Sequence, residues 1–322
     1  MKDKTVRVGL VGAGSIAQVA ELPALSAEPG VRIAGVVTTH SPIEVKKRLD
    51  RWPIDQYYSS VDEMIDKGHL DALFVLTPKQ LHFPFVKLGL LSGLDIFCEK
   101  PLTTSLAESQ ELADLAEKTE RVLMVGFNRR YAEVYQTAHA QFQAKDIRFC
   151  IAQKNRPGSE YRATLENSIH MVDLLRWFCG EAVDVVASTI ASDPYYEEGT
   201  AAHIRFTSGA IGVLIAARCA GEWDERLDVY GNLTSVRVIA PDVVSISRLG
   251  ETRTIEMRPR AMGWAQVSQT MGFGPEVSHF IDCIRTRNEP LTNGKDAVKT
   301  QALMDQILHN AGLPLSDKTN TI

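Results

Sequence analysis

Two glycines, Gly12 and Gly14, stand where a strand pattern ends and a helical pattern begins, and this junction constrains the fold more than any other feature of the chain. Val6–Val11 reads as a short parallel strand covered on both faces, Ile16–Leu25 as a helix interrupted by Pro23, and Val31–Val37 as a second strand. Strand, glycine turn, helix and strand make a βαβ unit. In Gly9-Leu-Val-Gly12-Ala-Gly14-Ser-Ile-Ala17 the first turn glycine permits the tight bend. Gly14 lets the backbone approach a pyrophosphate, and the small Ala17 lets helix pack closely on strand. Ser15 and Ile16 open the helix, whose unpaired N–H groups face negative charge. The position of the spacing between strand and helix predicts binding of NAD or NADP. Flavin, S-adenosyl methionine, or a turn that merely packs the domain are the other readings of such a string.

The alternation continues through helices near Ile43–Leu49, Val61–Lys67, Phe83–Ser92 and Leu106–Glu117 and strands at Ala72–Leu76, Asp95–Cys98 and Val122–Val125. Ser105 and Glu108 have capping-box spacing at the last helix. This is a doubly wound α/β rhythm, and it stops near Gly126. Strands then follow strands: Ile147–Ile151, Val183–Ile190, Ala201–Phe206, Ala210–Ala217, Leu227–Tyr230, Val236–Ile239, Val243–Ser247 and Arg253–Met257, with a hairpin turn at Thr207-Ser208-Gly209. The expected fold is an N-terminal Rossmann dinucleotide-binding domain, residues 1–126, plus a C-terminal α+β domain, residues 127–322, with a mostly antiparallel open sheet. Ala210–Ala217 is apolar on both alternations, which suggests that a second subunit packs there.

The second strand runs into Val37-Thr38-Thr39-His40-Ser41. An enzyme strongly selective for NAD places a carboxylate at this tip to accept bonds from the ribose hydroxyls. Thr38, Thr39, His40 and Ser41 instead accommodate a 2′-phosphate, which favours NADP over NAD. No arginine stands immediately alongside; Lys46, Lys47 and Arg48 either reach back or form a solvated helix face.

The net charge of −5, with both signs mixed, argues against a nucleic-acid partner. Five dispersed cysteines without CxxC spacing argue against a disulfide framework or a four-cysteine metal site. With no signal-peptide pattern and no run of eighteen apolar residues, the expectation is a soluble cytoplasmic protein without a membrane partner.

One helix of the second half, Leu165–Phe178 before Gly180, carries a chemical cluster. Spacings of four and then three place Glu166, His170 and Asp173 on one helical face. On its own terms His170 is equally a satisfied boundary histidine. Glu166 and His170 also have a ligand spacing, but no cysteine or HExxH motif joins them, so no metal is expected. Lys100 follows a strand's carboxyl end, where open α/β sheets place ligands, and Pro101 restricts its backbone. Without further context it reads as a surface lysine at a turn.

The glycine turn, Thr77-Pro78 with His82, and Glu99-Lys100-Pro101 together resemble the glucose–fructose oxidoreductase, inositol dehydrogenase and MocA family. The likeness extends through Gly126-Phe127-Asn128-Arg129-Arg130. It implies Lys100 and His170 as catalytic residues, with Thr77, Pro78, His82, Glu99 and Lys100 on the cofactor side. It further implies Glu166 and Asp173 as orienting contacts for a sugar, polyol or related cyclic substrate oxidised at a secondary alcohol, with Asn128 a further candidate contact; Arg156, in the polar loop Asn155-Arg156-Pro157-Gly158 after a strand, is either another contact or an ordinary surface residue. His170 would exchange the hydroxyl proton and Lys100 would orient the oxygen. Glu166 and Ser168 depart from the aspartate and glycine common in the family, which implies a reshaped substrate pocket. Homodimers or homotetramers through the C-terminal sheet are also implied. A redox-inactive nucleotide- and sugar-binding sensor is the alternative function.

Overall fold

The computed structural model describes residues 5–158, 162–193, 195–257 and 267–316. They form two compact units. The first holds the described residues through Asn128 and a returning segment that ends at Val298; the second holds the remainder.

The first unit is built on a six-stranded parallel sheet of β1 (Val6–Val11), β2 (Val31–Val37), β3 (Tyr57–Tyr58), β4 (Ala72–Val75), β5 (Asp95–Glu99) and β6 (Leu123–Gly126), in the order β3-β2-β1-β4-β5-β6. β4, β5 and β6 are buried along their whole length, as apolar runs without alternation require of a sheet covered on both faces. Between the strands run α1 (Leu22–Ala27), α2 (Pro42–Leu49), α3 (Val61–Gly68), α4 (His82–Leu91) and α5 (Leu106–Lys118). The order reverses between β1 and β4, the topological switch point at which such sheets bind ligands.

Local details differ from the sequence reading. Pro23 starts α1 instead of interrupting a longer helix, because proline is tolerated in a first turn; the chain before it winds as a π-helical turn, Ala17–Glu21. Ser105 occupies the N-cap of α5 but makes no side-chain cap bond. Thr103 Oγ1 accepts the Ser105 N–H there at 3.1 Å, and the reciprocal capping box is instead formed by Ser41 and Glu44 at α2.

The second unit contains α6 (Glu133–His139), α7 (Ile169–Cys179) and an eight-stranded sheet. Its strands are β7 (Ile147–Asn155), β8 (Ala182–Ile190), β9 (Gly199–Phe206), β10 (Ile211–Ala217), β11 (Asp224–Gly231), β12 (Thr234–Ile239), β13 (Val243–Arg248) and β14 (Glu251–Glu256), ordered β14-β13-β12-β11-β7-β10-β9-β8. Every neighbouring pair is antiparallel except β7 with β10. The short α6 was not expected: seven residues give too few turns for a periodic signal. α7 packs against β7 and β10, and α6 against β12 and β13. On the opposite face Phe149, Val186 and Ile190 are 48%, 60% and 70% exposed, so among the described residues that face carries apolar side chains without a helical cover.

The chain then adds α8 (Val267–Thr270), α9 (Phe273–Thr286) and α10 (Gly294–Asn310). α9 belongs to the first unit, a return that a linear boundary at residue 126 does not contain. Its Phe280 stands edge-on to Phe74 and Phe97 at ring separations of 5.4 Å and 5.8 Å, completing that unit's core. Thr292 extends the closure, accepting the Val125 N–H through its carbonyl at 2.8 Å and donating its hydroxyl to Val125 O at 2.8 Å.

Candidate functional site

In the first unit a cleft of about 310 Å³ opens at the carboxyl ends of β1, β2 and β4. Gly12, Gly14, Thr38, Thr39, His40, Thr77 and Pro78 line it, as do Leu76, Leu81 and Phe85. Gly12 has φ +99°, and a Cβ there would lie 2.7 Å from the carbonyl oxygen of Leu76, so only glycine fits between β1 and β4. Gly14 has no atom within 4 Å of where a Cβ would stand, which leaves its backbone open to a ligand. Together these features fit the pyrophosphate of a dinucleotide. Ser15 and Ile16 follow the turn and are exposed, but they are outside the cleft lining.

The tip of β2 is organised by short polar bonds. Thr38 Oγ1 accepts the His40 N–H at 3.1 Å, and Thr39 Oγ1 lies 3.4 Å from His40 Nδ1. Arg48, on α2, lines the cleft with Nη1 3.4 Å from His40 Nε2. The sequence left Arg48 between a ligand contact and a solvated face; the helical return of α2 brings it to the cleft. Glu44 is the nearby acid on the same helix, and its carboxylate is turned to cap α2 by accepting the Ser41 hydroxyl at 2.8 Å and the Ser41 N–H at 3.1 Å. Those bonds, led by the hydroxyl, hold the Glu44 carboxyl below its ordinary pKa, so it stays an anion bound to its own cap. Among the described residues no carboxylate lines the cleft.

Lys100 follows β5, is half-buried, and joins Pro101 through a cis peptide bond. Its N–H donates to Glu99 Oε2 at 3.0 Å. Glu99, expected on the cofactor side, is buried and lies outside the residues that line the cleft. His82 is expected from the sequence on the same side. It is buried with both ring nitrogens against backbone carbonyls, and it too is absent from the cleft wall. A residue that sequence reasoning missed lies close by: Glu21, wholly buried, with neither carboxylate oxygen hydrogen-bonded. Burial, and secondly the charge of Glu99, push its pKa well up, so it is held as the neutral acid. The signal available was an acid inside an otherwise apolar helix face, Ala17-Gln-Val-Ala-Glu21-Leu22.

Asn128 also belongs to the first unit, where it is 1% exposed and donates its amide to Met271 O at 2.8 Å. This bond gives it a structural partner in place of the expected open substrate position.

In the second unit Glu166, His170 and Asp173 do not share one α-helix. Glu166 lies in a π-helical turn, Ala163–Asn167, and α7 starts after Ser168. The break has two visible causes. Ser168 Oγ donates to Thr164 O at 2.7 Å, and the buried Glu197 carboxylate accepts the Thr164 N–H at 2.7 Å. Glu166 Oε2 in turn accepts the Arg162 N–H at 3.0 Å. His170 stays near the start of α7, 6% exposed.

Asp173 is expected from the sequence as a substrate contact. It is fully buried, and both oxygens are engaged by Arg130, Nε to Oδ2 at 2.8 Å and Nη2 to Oδ1 at 2.5 Å. Thr300 adds a bond to Oδ1 at 3.0 Å. The bidentate fork commits Asp173 to holding α7 on the Asn128–Tyr131 turn. The neighbouring Arg129 makes the equivalent fork to Glu225, which also meets Lys154 Nζ at 3.0 Å and accepts the Tyr135 hydroxyl at 2.8 Å. Burial alone would raise the Glu225 pKa, but Arg129 and Lys154 overcome it and keep the carboxyl far below its ordinary range. Arg156 is exposed after the end of β7, whereas Arg162 is buried and donates to Pro314 O and Ser316 O.

Among the described residues no group of three or more His, Cys, Asp or Glu side chains is arranged to hold a metal. No helix among them is long and apolar enough to cross a membrane.

Comparison with known proteins gives the following matches. Residues 6–127 match the family model for the oxidoreductase family with an NAD-binding Rossmann fold, and residues 122–237 match the model for the GFO/IDH/MocA C-terminal domain. YceM of Salmonella typhimurium is 28% identical over 319 residues, covering 96% of this chain and 99% of its own. The scyllo-inositol 2-dehydrogenase (NAD(+)) of Bacillus subtilis is 24% identical over 321 residues, covering 91% and 90%. The crystal structure of the dehydrogenase MviM from Clostridium difficile aligns with a TM-score of 0.86 at 24% identity, over 95% of this chain and 99% of its own, a likeness of fold.

Proposed function

The chain belongs to the GFO/IDH/MocA oxidoreductase family and is an NAD(P)-dependent dehydrogenase, and on that premise we propose that it oxidises a secondary alcohol of a sugar, polyol or related cyclic compound to the ketone, reversibly. The observation that carries the cofactor half of this reading is the cleft at the switch point, with Gly12 forced and Gly14 open. A nicotinamide bound in this cleft would supply the acceptor or donor of the hydride. His170 takes the proton of the substrate hydroxyl, and Lys100 orients the oxygen and steadies the charge that develops on it. Glu166 and Arg156 serve substrate hydroxyls, and Asp173 acts only by fixing α7. The dehydrogenase named for scyllo-inositol supports a polyhydroxylated ring as the substrate class. Turnover of NADP+ and NAD+ with polyols, aldoses, inositols and nucleotide sugars tests the proposal. Tight dinucleotide binding with no turnover across that panel favours the sensor.

NADP is the preferred cofactor in this reading. Thr38, Thr39 and His40 offer polar groups at the β2 tip, no carboxylate lines the cleft, and Arg48 supplies the cation that the tip itself lacks. Removing one charge-assisted contact costs about 1.5–3 kcal/mol, roughly 10–100-fold in affinity. Arg48→Ala is therefore expected to weaken NADPH by that factor in a fluorescence titration while leaving NADH nearly unchanged. Tighter binding of NADH than NADPH by the unmodified protein overturns the preference.

The uncovered face of the eight-stranded sheet favours a homodimer or homotetramer. Phe149, Val186 and Ile190 are exposed there, and Ile151, Val213 and Ile215 stand in adjacent registers. Sedimentation velocity is expected to show two or four copies, reduced to one by Phe149→Asp with Val186→Asp. A monomer in the unmodified protein refutes this.

A further inference from the structure

The imidazole of His82 sits at the start of α4 with 1% of its surface exposed. Nδ1 lies 2.8 Å from Pro101 O, and Nε2 lies 2.9 Å from Thr77 O. One carbonyl belongs to the wall of the dinucleotide cleft and the other to the residue that follows Lys100. We propose that His82 is a positioning residue for Lys100, tying the loop that leaves β4 to the loop that leaves β5 and so fixing the backbone from which the Lys100 side chain departs. The proposal rests on the reading of Lys100 as the group that orients the substrate oxygen.

Three observations support it. The strut has a firm base: α4 packs on β4 and β5 so closely at Gly89 that a Cβ there would meet Ile96 Cδ1 at 2.5 Å. The ring has the right chemistry, because carbonyl oxygens only accept and a buried carbonyl that loses its donor is costly. It also suits a place beside an ammonium group. Burial first, against the pull of the carbonyls of Pro101, Thr77 and Leu102, and then the charge of Lys100, lower the His82 pKa. The neutral ring has a single N–H, which in the Nδ1-protonated tautomer is donated to Pro101 O at the shorter distance of 2.8 Å; that one bond ties α4, which follows the β4 loop, to the loop after β5 without setting a second cation beside Lys100.

The test measures kcat, KM, NADPH affinity and thermal midpoint for His82→Phe and His82→Gln, with Lys100→Ala in parallel. Removal of the donor is expected to lower kcat at least tenfold with the NADPH dissociation constant within twofold of wild type. The amide of His82→Gln, which still donates, is expected to restore most of that loss. Wild-type kcat in folded His82→Phe overturns the proposal. So does a tenfold loss of NADPH affinity with kcat at saturation intact, which would make His82 a cofactor contact. Should His82→Phe not fold, His82→Gln decides: a dinucleotide-binding, folded protein with kcat reduced less than tenfold is expected, and loss of NADPH affinity overturns. Wild-type turnover in Lys100→Ala removes the premise instead, and it shows itself with His82 intact.

Discussion

Lys100→Ala and His170→Ala are each expected to lower kcat by about 10²–10⁴-fold, the range contributed by a positioned proton carrier or a charge held ready for the transition state. Dinucleotide affinity should stay near wild type in His170→Ala, because His170 is not among the residues that line the cleft. The two variants differ in pH behaviour. Loss of the proton carrier removes the corresponding limb of the pH–rate profile, whereas loss of Lys100 lowers the rate and leaves that limb. Steady-state kinetics across pH checks both. A His170→Ala enzyme with its rate and pH profile intact would show that another group carries the proton.

Glu225→Ala is expected to destabilise the second unit by about 3–5 kcal/mol, the cost of stranding buried partners of an ion pair. Here two cations, Arg129 and Lys154, lose their shared carboxylate, and the Tyr135 hydroxyl loses its acceptor. The pH dependence has a definite sign. Because the folded pKa of Glu225 lies below the unfolded value, about 4.3 for a free glutamate, its contribution is complete above that value. It is lost as pH falls from there toward the folded pKa, since the unfolded chain binds the proton first. Urea denaturation of Glu225→Gln should therefore show a lower midpoint at pH 7 and a shallower loss of stability into acid than wild type. Equal midpoints at neutral pH, or an equal acid slope, contradict the assignment.

The first unit was legible because five of its six strands are local apolar runs with a turn or helix on either side, and Gly12 and Gly14 have meaning within a few residues of chain; the two-residue β3, Tyr57–Tyr58, read only as a polar connection. Long-range pairing was not legible. Arg129 and Arg130 are neighbours in sequence, yet their partners lie 96 and 43 residues away, and nothing local marks Glu225 or Asp173 as their anions. The Glu166–His170–Asp173 face failed for another reason. Helical spacing assumes an unbroken 3.6-residue period, and the bonds that Thr164 accepts from Ser168 and gives to Glu197 wind that stretch as a π-turn. His82 stands out in the sequence, but its neighbours do not. A buried histidine donates equally well to a ligand or to a carbonyl, and only the approach of Thr77 and Pro101 decides which.

The return of α9 to the first unit reorders the birth of the protein. A ribosome that has just released Gly126 has delivered all six strands of the first sheet, but Phe280, which closes over Phe74 and Phe97, is still untranslated. Thr292, which hydrogen-bonds Val125 from both sides of its peptide unit, comes later again. The part begun first is thus completed only after the whole eight-stranded sheet has emerged, and a gene cut after Asn128 encodes a nucleotide-binding half with one side of its core left bare.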